Sequence, residues 1–179
     1  MRARGAKEIH DVEDHIRRVL YAEVERQSAF ALIAIGDLTA ALFAQNASLA
    51  RRSPSVAVGA TDRIWYSVQA LLTAAGNVSK FLWPAPEYAA RGAALRQELE
   101  VADDSVLGPR TFRNHSEHFD EGLDVTKFMR HLDTKNLAIT FQGDSYALQP
   151  IAAALVRLQE RAALLAEMPS WPPSVLAAS

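Results

Sequence analysis

The sequence predicts an all-α fold, a helical bundle of about five helices with one small β-hairpin near residues 136–149. Three observations lead there. Of 179 residues, 32 are alanine, the residue that gives up no side-chain entropy in a helix. Apolar residues recur at the 3.6-residue period over long stretches. Strand-like sequence around a turn signal occurs once, between Asn136 and Gln149.

Each element has its own signal. From about Asp11 to Asn46 the pattern is helical, with Ile16, Val19, Leu20, Val24, Ala31, Leu38 and Leu42 on one side and Gln27 interrupting. Gly36 leaves open one long helix or two joined at a kink. Ala47 to Ala60 hold Ser48, Arg51, Arg52, Pro54 and Gly59 and read as a loop. Thr61-Asp62 then offer an N-cap for a second helix, Ile64 to Trp83. Pro84 and Pro86 stop it, and Pro86 suits the first turn of a third helix to about Val101. After Asp103-Asp104-Ser105 and Gly108-Pro109, a fourth helix is expected from about Pro109 towards His131, weakened at Gly122. Leu137 to Phe141 and Tyr146 to Leu148, on either side of Gln142-Gly143-Asp144-Ser145, read as the hairpin. Pro150 opens a last amphipathic helix to about Met168. The length favours a single domain over residues 1–179, with about ten loose residues at each end.

Composition excludes several classes of protein. A chain that is 49% hydrophobic and 22% charged is not intrinsically disordered. Without cysteine there is no disulfide framework, thiolate zinc site or cysteine nucleophile. A net charge of −2 excludes a globally basic nucleic-acid binder but leaves room for a local basic cleft. The N-terminal MRARGAKEIHDVEDH lacks the apolar stretch of a secretory signal. The run Ala29 to Ala44, about sixteen residues, falls short of the roughly 20 that span a bilayer. A cytoplasmic protein without membrane contact is therefore expected.

Chemistry concentrates in residues 110–124, RTFRNHSEHFDEGLD, with two of the five histidines, two arginines, an asparagine and four acids. On a helix at 100° per residue, Phe112, Ser116, Phe119 and Leu123 form a core stripe. Arg110, Asn114, His118 and Glu121 form a second stripe roughly opposite, and Arg113, Glu117 and Asp120 a third beside it. Such a back face is also what any solvated amphipathic helix carries, with Arg113 and Glu117 as an ordinary i,i+4 pair. Yet a histidine titrating near neutrality can move a proton, and an arginine can stabilise a phosphorane.

Arg113-Asn114-His115-Ser116-Glu117-His118 fits R-[N/H/D]-x3-H. It resembles the signature of the HEPN superfamily, helical-bundle domains that include many metal-independent endoribonucleases. The resemblance implies that Arg113, Asn114 and His118 are catalytic and line a cleft between the two protomers of a homodimer. It implies RNA as substrate, an antitoxin-like protein as a possible further partner, and no cofactor or metal. Arg110, His115, Glu117 and Glu121 are auxiliary candidates, although the acids beside the cleft oppose RNA binding.

Other readings are weaker. His115, His118 and Glu121, with His10, Glu13, Asp14 and His15, could hold a metal. Three-residue steps drift by about 60° each, however, so the outer two ligands diverge. A non-enzymatic interaction bundle is the alternative from a different class. Asp37 is expected on an exposed strip. Trp65, Tyr66, Phe81 and Trp83 are expected in the core rather than stacked on bases. Arg51, Arg52 and Arg63 are expected to be solvated, and Asn77-Val78-Ser79 carries no meaning as a glycosylation site without a secretory signal.

Overall fold

The structure, a computed structural model, describes residues 2–51, 54–108, 131–134, 136–141 and 144–167. Its spine is α1 (Arg2–Ala50), 49 residues without a break, about 70 Å long at 1.5 Å per residue. Gly36 does not interrupt it. That glycine has no atom within 4 Å of where a Cβ would stand, so it costs helix propensity and nothing else.

Helix α2 (Pro54–Leu82) returns antiparallel along α1. Two polar bridges mark the register: Gln45 Nε2 donates to Thr61 Oγ1 at 3.0 Å, and Asn77 Nδ2 donates to Gln27 Oε1 at 3.1 Å. Between them lies a seam of buried Val24, Ala31, Leu38 and Leu42 from α1 and Ile64, Val68, Leu71, Ala75 and Val78 from α2. The loop expected from Ala47 to Ala60 is a correction, because α1 runs to Ala50 and α2 begins at Pro54. A proline at the first helical position lacks only an N–H that would be unpaired there anyway. Thr61 and Asp62 consequently sit inside α2 rather than capping it. Ile16 and Val19 are also corrected, being 49% and 54% exposed. At 100° per residue they lie about 80° and 140° from Val24, off the side that α1 buries at that end.

After Leu82 a 3-10 turn (Pro86–Tyr88) leads into α3 (Ala89–Glu98). The third helix thus starts as expected and stops three residues early. Its end is a Schellman motif: Val101 N–H donates to Arg96 O at 2.8 Å and Glu100 N–H to Gln97 O at 3.2 Å. Glu100 takes the left-handed position at φ 57 that glycine usually fills.

Three short strands follow: β1 (His131–Asp133), β2 (Ala138–Phe141) and β3 (Asp144–Ala147), antiparallel in the order β1-β2-β3. Leu132 pairs with Ile139 and Ile139 with Tyr146, which places all three on one face, and Ile139 is fully buried. The expected hairpin is there, but Asp144 and Ser145 belong to β3 instead of the turn. β1 occupies the place where the fourth helix was expected to finish. Three residues are too few to show a period of two; Asp133 instead marks the turn by accepting Asn136 N–H at 3.0 Å.

Helix α4 (Leu148–Glu167) starts two residues before Pro150, where Leu148 N–H donates to Leu137 O at 2.8 Å. Ile151, Leu155, Leu158 and Ala162 are its buried stripe at helical spacing. The described residues therefore hold four α-helices and one small sheet. The helix expected from Pro109 towards His131 falls on 109–130, outside the described residues.

Two alanine substitutions should move stability in opposite directions. Gly36→Ala is expected to gain roughly 0.5–1 kcal/mol from helix propensity. At Gly92 an added Cβ would stand 2.8 Å from the Leu82 carbonyl oxygen and press on the Pro84 ring. Gly92→Ala is expected to cost roughly 1–3 kcal/mol through overpacking. Urea titrations of both variants give the two signs directly.

Candidate functional site

Arg110, Arg113, Asn114, His115, Glu117, His118 and Glu121 all lie outside the described residues. The structure does define how the chain is held on either side of them: loop 99–108 leads in, and β1 leads out.

The incoming loop is fastened by Arg96. Its Nη1 donates to the Leu82 carbonyl at 2.5 Å, its Nε to the Asp103 carboxylate at 2.8 Å, and its guanidinium stacks 5.2 Å from the Trp83 ring centroid. One side chain thus ties the end of α2 to α3 and to the loop, as a planar guanidinium can. Gly108 closes the loop against the same tryptophan. A Cβ there would meet Trp83 at 3.3 Å and Ser105 O at 3.1 Å.

A second junction sits at Glu98. Arg17 Nη1 reaches Oε1 at 3.3 Å, Tyr21 Oη donates to Oε2 at 2.7 Å, and Arg161 Nε donates to the Glu98 backbone carbonyl at 3.2 Å. Arg161 also pairs with Glu100 at 2.9 Å. Three helices, α1, α3 and α4, meet on this residue. Burial of Tyr21, its hydrogen bond to Glu98 and the charge of that carboxylate push the phenol pKa up to about 12.

Between loop 99–108 and α4 lies a cavity of about 440 Å³ whose lining includes Glu100, Asp104, Leu107, Arg157, Leu158 and Arg161. Arg157 is exposed and has no ion pair among the described residues. Arg161 is engaged by Glu98 and Glu100, so of the two arginines, one turn apart on α4, Arg157 is the one whose charge is left for the loop that leads into residues 110–124. Sequence reasoning missed them as site candidates. The signal was their i,i+4 spacing beside the buried Leu158, read only as the polar side of an amphipathic helix.

Of the residues weighed as metal ligands, His115, His118 and Glu121 and the side chain of His10 lie outside what the structure describes. Glu13 and His15 are exposed on α1 and Asp14 is half-buried; among the described residues no three acidic, histidine or cysteine side chains are grouped to hold a metal. Asp37 is half-buried at the edge of a groove between α1 and α2. Trp65, Phe81 and Trp83 are partly buried and pack on the core, as expected, whereas Tyr66 is exposed. Arg51 and Arg63 are exposed, and Asn77 is engaged with Gln27. No family model matches this chain, and none of the curated proteins or solved structures compared with it matches.

The Tyr21–Glu98 bond has a pH signature. A folded-state pKa of about 12 lies above the ordinary tyrosine value of about 10, so the folded chain holds this proton more tightly. The resulting stability is complete below about pH 10 and is lost as pH rises towards 12. A tyrosinate absorbance titration is expected to show a step near pH 12 that is missing from Tyr21→Phe. At neutral pH the same variant is expected to lose about 1 kcal/mol.

Proposed function

We propose that this chain is a HEPN-like helical domain that acts on RNA as a metal-independent endoribonuclease. The observation that carries the reading is the Arg113-Asn114-x3-His118 motif. Two features of the fold support it. The chain is built on a helical frame, and Arg157, which has no ion pair among the described residues, adds positive charge beside the loop that feeds the motif segment. The acids at 117, 120 and 121 call for such a source, since phosphate binding scales with the basic residues available.

In this reading two copies contribute Arg113, Asn114 and His118 to one cleft. A ribose 2′-hydroxyl attacks the adjacent phosphorus, the bond to the 5′ oxygen breaks, and a 2′,3′-cyclic phosphate and a 5′-hydroxyl result. His118 moves the proton as base or acid, Arg113 stabilises the phosphorane charge, and Asn114 orients the substrate or the imidazole. The reaction belongs in the cytoplasm, where the substrate is. An inactive relative would keep the same residues for binding RNA without cleavage.

A specific observation favours a second reading, a non-enzymatic interaction bundle: the open groove between α1 and α2 exposes Phe30, Ile33 and Tyr66. RNA separates the two. Purified protein is expected to cleave RNA in EDTA, and His118→Ala to lower the rate by about 10²–10⁴-fold. Arg157→Glu is expected to weaken RNA binding and to reduce its salt dependence. Absent cleavage together with absent binding, or equal cleavage by wild type and His118→Ala, removes the enzyme reading.

A further inference from the structure

Four residues of α1 form a stripe that is apolar at its centre and oppositely charged at its two ends, so it is complementary to its own reverse. Arg26, Phe30, Ile33 and Asp37 are spaced by four, three and four residues, and at 100° per residue they lie within about 60° of one another. Phe30, Ile33 and Asp37 form one wall of the groove between α1 and α2, a space of about 650 Å³; Tyr66, Ala70 and Thr73 form the other. Phe30 is 50% exposed, Ile33 62% and Tyr66 69%. One contiguous patch of this kind on a helical surface marks an interaction site.

The spine as a whole carries more apolar surface than its neighbours cover. Within Glu13–Ala50 it is long and apolar enough to cross a membrane, yet only 33% of its most apolar window is buried.

We infer that a second copy of this chain docks in the α1/α2 groove, with α1 antiparallel to the partner's α1. Reversal about the midpoint between Ala31 and Leu32 exchanges Arg26 with Asp37 and Phe30 with Ile33. A two-fold axis at that midpoint lays Arg26 beside the partner's Asp37 and Phe30 beside the partner's Ile33, and each pairing occurs twice, as an isologous interface requires. The exposed Tyr66 on the far wall then meets the incoming helix, and two helices from each copy form a four-helix arrangement. Charges of opposite sign at the two ends of a short apolar stripe suit a copy of the same stripe. They do not suit a lipid surface, which would have to desolvate both.

Both charges are available for this exchange. Arg26 is held only by Glu23 one turn away, at 2.9 Å on the open surface, a weak kind of pair. The Asp37 carboxylate has no ion pair among the described residues. The assembly rests on α1 and α2 and the ribonuclease reading on residues 113–118, so charge reversals that leave the dimer unchanged overturn the first and not the second, whereas a charge-sensitive dimer that does not cleave RNA overturns the second and not the first.

Sedimentation over a range of concentrations tests it by charge reversal. The wild type is expected to dimerise. Arg26→Asp and Asp37→Arg are each expected to raise the dimer dissociation constant about tenfold or more, because like charges meet at both ends. The double variant is expected to return to near the wild-type value. An equimolar mixture of the two single variants is expected to form a heterodimer, since an all-acidic stripe then faces an all-basic one. Tyr66→Glu is expected to weaken the dimer without touching the α1 charges, and circular dichroism checks that every variant is folded. A wild type that stays monomeric, single variants that dimerise like the wild type, or a mixture no tighter than its components overturns the inference. A monomeric wild type that sediments with phosphatidylcholine vesicles overturns it in favour of a lipid surface.

Discussion

The arrangement of α3, α4 and the loop after α3 depends on one acidic helix end in an unfavourable place. Glu98 ends α3, where the helix dipole already concentrates negative charge, and Glu100 adds a second acid two residues on. Left alone, that end would be repelled from any packed position. Arg17 and Tyr21 from α1 and Arg161 from α4 neutralise and hydrogen-bond it instead. Three helices are thereby fixed relative to one another. Glu100 also accepts a left-handed backbone, a strained choice for a residue with a side chain, and its carboxylate meets Arg161. The loop that leaves this junction carries the chain into residues 109–130, so the position of that segment's start is set by the same few contacts.

α1 is the second organising constraint. α2 packs along it on one side through small and branched residues, and α4 approaches it at Gln159 and Glu25. Gln27, which breaks the apolar pattern in sequence, donates to Glu23 and accepts from Asn77. A polar bridge of this kind specifies register in a way that an uninterrupted apolar seam does not. It also borders the open groove, so the polar break in the pattern lies where the helix pair stops being covered.

Much of the fold was legible from residues alone, for physical reasons that can be named. Pro84 and Pro86 stop α2 because neither can donate to a helix. The stripe Ile151, Leu155, Leu158 and Ala162 shows as a buried face because its spacing matches the helix. Alternation around Gln142 to Ser145 marked the hairpin. The boundary between α1 and α2 was not legible, because Ser, Arg, Pro and Gly favour loops locally. Here a proline in the first turn and packing along α1 outweigh that preference. β1 was hidden by its length. The Glu98 junction was also hidden, since Arg17, Tyr21 and Arg161 are far apart in sequence and carry no shared pattern. For chemistry the balance is reversed. The motif at Arg113, Asn114 and His118 is visible only in sequence, while Arg157, whose charge lies at its approach, emerges only when α4 is placed beside loop 99–108.

In the proposed ribonuclease, two copies of residues 110–124 face one another across a shared cleft. The chain has no cysteine, so a single Glu117→Cys substitution gives one spin label per protomer with no background. Electron–electron resonance on the labelled protein in solution measures the separation between the two labels directly. A shared cleft is expected to give one short, narrow distance that is lost when labelled chains are diluted into an excess of unlabelled ones. A distance spanning the far ends of the two protomers, or no dipolar coupling at all, would contradict it.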